Sequence, residues 1–337
     1  VGVIWDYPAG SREPVTAAMA GFGAPAGRSL KVPSHTRYTA VSRSGEGLVV
    51  HITLLANRDL HSNYALNLLL PQLANDHSLT LFLSDTVGGD SNRQPDLHWL
   101  QFLEQTLCND LLFPTLDRTG ITGELLTFSA FERFLEQPWA RLNDPNSEAG
   151  LAALAASSPD LLISLRYGRI LQPPAISLPS RGVLNLHSGR LPQYRGVMAT
   201  FRAMLAGDTL LGTTLHWIDD GSIDTGRIVN THSETLDPQR CYLSNVLSLY
   251  KPGCGAIIDA IHTLSADKDL NSHQATGAGD YFSFPNASEC QAFRAAGYIW
   301  ADLANFATIL QRYHPPAEAA VQLDLPRIDF SKGGLLT

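Results

Sequence analysis

The chain has 337 residues, 44% of them hydrophobic and 17% charged, which excludes disorder as its main state and leaves room for one large or two medium domains. Its 24 Lys and Arg stand against 32 Asp and Glu, a formal charge of -8, so a nucleic acid would need a local basic patch, and none stands out along the chain. Cys108, Cys241, Cys254 and Cys290 lie too far apart for a CxxC metal pair and too sparsely for a disulfide scaffold; no apolar run nears the ~20 residues of a membrane span and no leader pattern opens the sequence. A cytoplasmic enzyme with buried thiols and no membrane partner is expected.

Residues 1–45 are rich in Gly, Pro, Ser and Ala without a sustained apolar period and read as an irregular N-terminal extension. Order begins at Leu48–Leu55, a continuous apolar run typical of a strand buried on both faces. Leu60–Ala74 then spaces Leu66, Leu69, Leu70 and Leu73 as a helix does, and Leu79–Leu83 supplies the next strand. Helices are predicted over His98–Leu107 and Asn146–Ala156, and a buried strand over Asp160–Leu165. A short strand, Gly182–Leu186, runs into a Gly- and Pro-containing loop that ends at Gly196, with a helix at about Met198–Leu205. Gly212–Ile218 and Arg227–His232 read as strands either side of the acidic turn Asp219–Gly226, and a helix near Tyr242–Leu264 follows. The alternation predicts an α/β fold with a doubly wound, mostly parallel sheet, whose ligands sit beyond the carboxyl ends of the strands. The expected division is an extension at 1–45, a main domain at 46–265 and a small C-terminal appendage at 266–337.

Asn185 and His187 are two apart in a strand, so their side chains leave one face while Leu184 and Leu186 take the other. The strand stops at once in a loop, which puts the pair at the edge where an open sheet presents its site. Asn-x-His alone equally describes a polar pair tying down a loop. Asp224 lies in a turn whose glycines allow close approach of a ligand, and a solvated acidic turn is the plainer alternative. His187, His216 and Asp224 would make a two-histidine, one-carboxylate metal site only if all three converged; His216 reads more simply as structural, and no metal is expected. No GxSxG elbow, Walker loop or GxGxxG fingerprint occurs, so serine acyl hydrolysis, nucleotide hydrolysis and ordinary dinucleotide binding lack support. An amide donor, a histidine and a carboxylate to orient or charge it are the minimum for stabilising an oxyanion and moving protons, as acyl transfer to an amine requires.

Four motifs in order, Asn185-Leu186-His187, Leu191-Pro192-x-Tyr194-Arg195-Gly196, Gly212-Thr213-Thr214-Leu215-His216 and Asp224-Thr225-Gly226, resemble the folate-dependent formyltransferase family. The resemblance covers about Leu48–Leu264 and implies a formyltransferase-type Rossmann-like fold. It implies 10-formyltetrahydrofolate as formyl donor, with Arg169, Ile170 and Leu171 in the segment whose backbone binds the pteridine, and Asp220, Gly221 and Ile223 beside it. By the same resemblance Asn185 hydrogen-bonds the formyl oxygen as it becomes an oxyanion, His187 moves protons and stabilises that charge, and Asp224 holds His187 and assists proton movement toward the leaving N10 of tetrahydrofolate. One departure is Ser188-Gly189-Arg190, where the family has a small residue, then Ser and Leu.

The function implied is transfer of the formyl group to an amine of a small-molecule acceptor, an amino sugar nucleotide or a biosynthetic amine. Arg190, Tyr194 and Arg195 are the candidate acceptor-binding residues, and Arg202 a further cation for a diphosphate, unless these arginines pair with Asp219 and Asp220. A 10-formyltetrahydrofolate hydrolase and a folate-binding protein without turnover are the alternatives. From Arg240 onward the chain carries seven cations against nine anions, and Ser288–Tyr313 shows helix-like rather than strand-like spacing, so neither a basic barrel nor a tRNA partner is expected there. A homo-oligomer is left open.

Overall fold

The computed structural model describes residues 47–85, 94–120, 122–277 and 279–314, together with the backbone of two short strands at 328–329 and 334–335. The extension expected at 1–45 lies outside the described residues. The first apolar run forms β1 (His51–Asn57), buried from Ile52 onward on both faces. Asp59 then caps α1 (Leu60–Leu73), its carboxylate accepting from the Ser62 N–H, and β2 (Ser78–Ser84) pairs parallel to β1.

The helix expected at 98–107 is part of a longer helical run: α2 (Pro95–Gln101), a π-helical stretch (Phe102–Leu112) and α3 (Phe113–Thr119). Pro114, which lacks an N–H, follows the π ladder directly, and the Phe113 N–H reaches back five residues to the Cys108 carbonyl. A 3-10 turn (Ser129–Phe134) leads to the short strand β3 (Ala140–Arg141), then come α4 (Glu148–Ala156), β4 (Leu161–Leu165), α5 (Pro173–Ile176) and β5 (Val183–His187). After β6 (Tyr194–Gly196) and α6 (Ala199–Ala206), the strands β7 (Leu210–Trp217) and β8 (Ile228–Thr235) form a hairpin around the acidic turn. The single helix expected at 242–264 is divided at Leu249 into α7 (Tyr242–Ser248) and α8 (Tyr250–Ser265), as Pro252 in the first turn of α8 favours.

The seven-stranded sheet has the order β3-β2-β1-β4-β5-β7-β8. Strands β1 to β5 are parallel, and β7 and β8 add an antiparallel edge. The chain winds outward from β1 through β3 and restarts on the other side at β4, so the crevice between β1 and β4 is the switch point at which such sheets bind ligands. Both faces are covered. Leu54, Ile163 and Leu184 pack with α1 and α8 in one core, while the alternate residues Leu55, Leu162 and Val183 pack with Leu154 of α4 in the other.

Beyond residue 266, β9 (Asp280–Phe282) pairs parallel with β6, followed by α9 (Ala287–Ala295) and α10 (Leu303–Gln311), and two-residue strands β10 (Ile328–Asp329) and β11 (Gly334–Leu335) pair with each other. Phe293 and Trp300 pack on Phe201 of α6, and with Tyr313 they share the core of α1 and α8. All four cysteines are buried, and among the described residues no helix is long and apolar enough to cross a membrane.

Candidate active site

A cavity of about 820 Å³ opens at the carboxyl ends of β4 and β5. Asn185 and His187 emerge into it from one face of β5. The antiparallel register sets Asn185 opposite His216 of β7, so the Asn185 Nδ2 lies 3.0 Å from the His216 Nε2. The His216 Nδ1 donates to the Trp217 carbonyl at 2.8 Å, which leaves Nε2 as the acceptor in the neutral ring. In that neutral state one Asn185 N–H is held by His216, whereas in the charged ring Nε2 carries a proton and faces the Asp224 Oδ1 instead.

Asp224 arrives from the acidic turn in a left-handed backbone conformation, φ +55°, which aspartate tolerates better than most residues. Gly226 makes the turn's close approach possible, since a Cβ there would sit 1.7 Å from the Trp217 carbonyl oxygen. The Asp224 Oδ2 accepts from the Gly196 N–H at 2.8 Å and lies 3.4 Å from the His187 Nδ1, while Oδ1 lies 3.4 Å from the His216 Nε2. Burial pushes the Asp224 carboxyl up, but the charge of His187, the hydrogen bond and charge of His216 and the Gly196 N–H outweigh it and hold the group at about 2. The His187 Nε2 is 2.7 Å from the Tyr194 carbonyl, so in the doubly protonated ring each N–H has an acceptor.

His187, His216 and Asp224 do come together, yet no group of three or more His, Cys, Asp or Glu among the described residues could hold a metal ion. The sequence reading that set His216 aside as structural missed its place between Asn185 and Asp224. Only the β5–β7 register reveals it, and a run of residues does not announce its register.

The residues expected at the folate segment, Arg169, Ile170, Leu171, Asp220, Gly221 and Ile223, all line the cavity. Asn146 braces this loop, donating to the Ile170 carbonyl and accepting from the Gln172 N–H. Ile170 and Tyr281, each about half exposed, stand at the cavity's rim. The candidate acceptor residues are not in the lining. Tyr194 offers His187 its carbonyl and sends its hydroxyl to Asp208, the Arg195 guanidinium reaches the Gly279 carbonyl, and the Arg190 stem lies against Gly212. Arg202 is buried, bonded to Glu289 and the Ser283 carbonyl, and Asp219 pairs with Arg227 rather than with any of those arginines. None of these three arginines is part of the cavity lining.

Residues 120–240 match the family described as Formyl transferase, a span that holds Asn185, His187 and Asp224. The resemblance to folate-dependent formyltransferases is carried by this stretch. The methionyl-tRNA formyltransferase of Nitrosococcus oceani is 36% identical over 134 residues, 40% of either chain, and that of Aromatoleum aromaticum is 30% identical over 176 residues, 51% of this chain and 52% of the relative. The chain spans about half, or less, of the length of these curated relatives. Among solved structures, a 4-N formyltransferase from Francisella tularensis superposes with a TM-score of 0.46 at 15% identity over 80% of this chain and 90% of its own.

Proposed function

We propose that this chain is a folate-dependent N-formyltransferase that moves the formyl group of 10-formyltetrahydrofolate to an amine of a small-molecule acceptor. The observation that carries the reading is the convergence of Asn185, His187 and Asp224 on one cavity, inside the stretch that matches the formyltransferase family.

The residues present fit the donor. The cavity is within the range of small-molecule sites and large enough for donor and acceptor together, and its wall at residues 169–172 offers braced backbone for a flat heterocycle. When bound, the donor supplies an electrophilic formyl carbon and a nitrogen leaving group. The Asn185 amide supplies a hydrogen bond to the charge that develops on the formyl oxygen, and the neighbouring His216 ring, when neutral, fixes its direction. His187 adds positive charge beside it, with Asp224 behind. Asp224, held as a carboxylate, keeps His187 in place and charged and assists the movement of the proton that the attacking amine loses to the donor nitrogen that leaves. For His187 to transfer a proton itself, its Nε2 must exchange the Tyr194 carbonyl for substrate.

The small-molecule acceptor is supported by the formal charge of -8 and by the acidic balance after residue 240. The names of the relatives favour a second reading, an aminoacyl-tRNA acceptor. Incubation with 10-formyltetrahydrofolate alone, then with a panel of small amines and with methionyl-tRNA in low salt, separates these outcomes. Formamide from a small amine is expected. Formate without an amine would make the protein a hydrolase, formylated tRNA would overturn the acceptor class, and no product from any arm would overturn catalysis.

A further inference from the structure

The cavity draws its lining from both faces of the sheet. Tyr167 and Leu171, at the folate end, belong with the core under α4, whereas Leu97 and Leu100 of α2 and Tyr242 and Val246 of α7 belong with the core of α1 and α8. The carboxyl ends of β4 and β5 lie between the two, so with the donor on the first side the second is left for the acceptor.

Chemically the second side is apolar. Leu97, Leu100 and Val246 are buried in the protein and make its wall together with the partly buried Phe284. The amides and charges that also reach it are engaged with one another: Gln101 donates to Gln105 at 3.1 Å, and Arg166 donates to Glu104 at 2.6 Å. Tyr242 is the exception. Its ring packs edge-on against Phe293 and Trp300, which fixes where the hydroxyl lies. That hydroxyl has no hydrogen-bond partner among the described residues, although Tyr242 is only 4% exposed. Burial holds the phenol well above its usual range, the Glu104 charge adding to the effect and the Arg166 charge opposing it, so it remains an O–H donor. A buried hydroxyl without a partner is costly, and one on a cavity wall is satisfied by what enters the cavity.

We propose that the acceptor is an amine carried on an apolar body, alkyl or aryl, with one uncharged oxygen that accepts from the Tyr242 hydroxyl. The inference rests on the formyltransfer reading and narrows its acceptor. A sugar nucleotide would surrender the hydration of its hydroxyls and diphosphate to a wall with little to return, whereas each methylene set against Leu97, Leu100 and Val246 leaves water at a gain. The single hydrogen bond gives such a body its orientation, as one well-placed polar group does in a mostly apolar pocket.

The test loads the protein with 5-formyltetrahydrofolate, then measures calorimetric binding of two series of increasing length, n-alkylamines and the ω-methoxyalkylamines of equal length, with glucosamine as the polar control. Affinity is expected to rise about threefold per added methylene until the wall is covered, and the longer members should bind about tenfold more tightly than glucosamine or better. At one length the ether should bind at least as tightly as the alkylamine. Tyr242→Phe, which keeps the ring packing, should weaken that ether about fivefold and leave the alkylamines nearly unchanged. Tighter binding of glucosamine, an affinity independent of chain length, binding of neither series, or ethers indifferent to Tyr242→Phe at every length would overturn the proposal. The first three outcomes need no variant, so they decide the matter even if Tyr242→Phe does not fold. Failure of the folate itself to bind is a separate result, and it defeats the formyltransfer reading on which the proposal stands.

Discussion

Gly189 lies two residues past His187, and a Cβ built there would sit 2.4 Å from the Ala199 Cβ and 2.7 Å from the His187 Nε2. Its backbone is not in the left-handed region, so Gly189→Ala tests space rather than strain. Ordinary contact begins near 3.4 Å, so the imidazole must retreat by about 0.7 Å, more than the ~0.5 Å within which a catalytic group has to be held. That displacement also pulls Nε2 from the Tyr194 carbonyl at 2.7 Å and changes the 3.4 Å approach of Nδ1 to Asp224. The expected result is a kcat lowered on the order of 10²-fold, with folate affinity little changed and stability reduced by about 1–3 kcal/mol for the overpacking. Formyl transfer under saturating donor, folate binding and urea unfolding measure the three quantities. A second substitution, Ala199→Gly, removes the 2.4 Å clash but not the one with His187. The double variant should therefore regain stability while staying slow. If Gly189→Ala keeps kcat within about threefold, or the double variant recovers both properties, His187 does not need its present position and its assignment falls.

Asn185→Ala should lose on the order of 10²- to 10³-fold in kcat with folate affinity nearly intact, as removal of an oxyanion donor does elsewhere; near-normal turnover would sink that role. His187→Ala and Asp224→Ala should each be severe but overlap in the double variant, since they share one hydrogen-bonded unit, and additive losses would mean separate roles. Asp224 sits near 2 when folded against an ordinary value of 3.8, a depressed carboxyl, so its contribution is fully present above pH ~4 and lost as pH falls toward 2. Urea unfolding of the parent and of Asp224→Asn should show a parent advantage of about 2 kcal/mol at pH 5 that shrinks by pH 3, and an advantage that grows on acidification would contradict the assignment. Activity should survive prolonged chelation, and loss with recovery on adding Zn²⁺ or Fe²⁺ would return the His187, His216 and Asp224 cluster to a metal role.

What the sequence displayed of this molecule follows the range over which each signal acts. The period of two at Leu184–His187 puts Asn185 and His187 on one face whatever the rest of the chain does, and the apolar runs at Ile52–Leu55 and Leu161–Leu165 demand burial on both faces, hence a parallel sheet under helices. His216 has no such local sign, because its contact with Asn185 exists only through the pairing of two strands thirty-one residues apart in sequence. Arg190, Arg195 and Arg202 mislead for the reverse reason. They follow the motif closely, but the loop and α6 turn them toward Gly212, Gly279 and Glu289, so nearness in sequence gave the neighbourhood without the direction. The ion pairs of Arg166 with Glu104 and Asp59 were silent too, because they join residues sixty-two and one hundred and seven apart in sequence, one of them on a π-helical stretch that apolar spacing alone cannot distinguish from an α-helix. The candidate reacting groups Asn185 and His187 thus announce themselves through local geometry, whereas His216 joins them only through the pairing of β5 with β7.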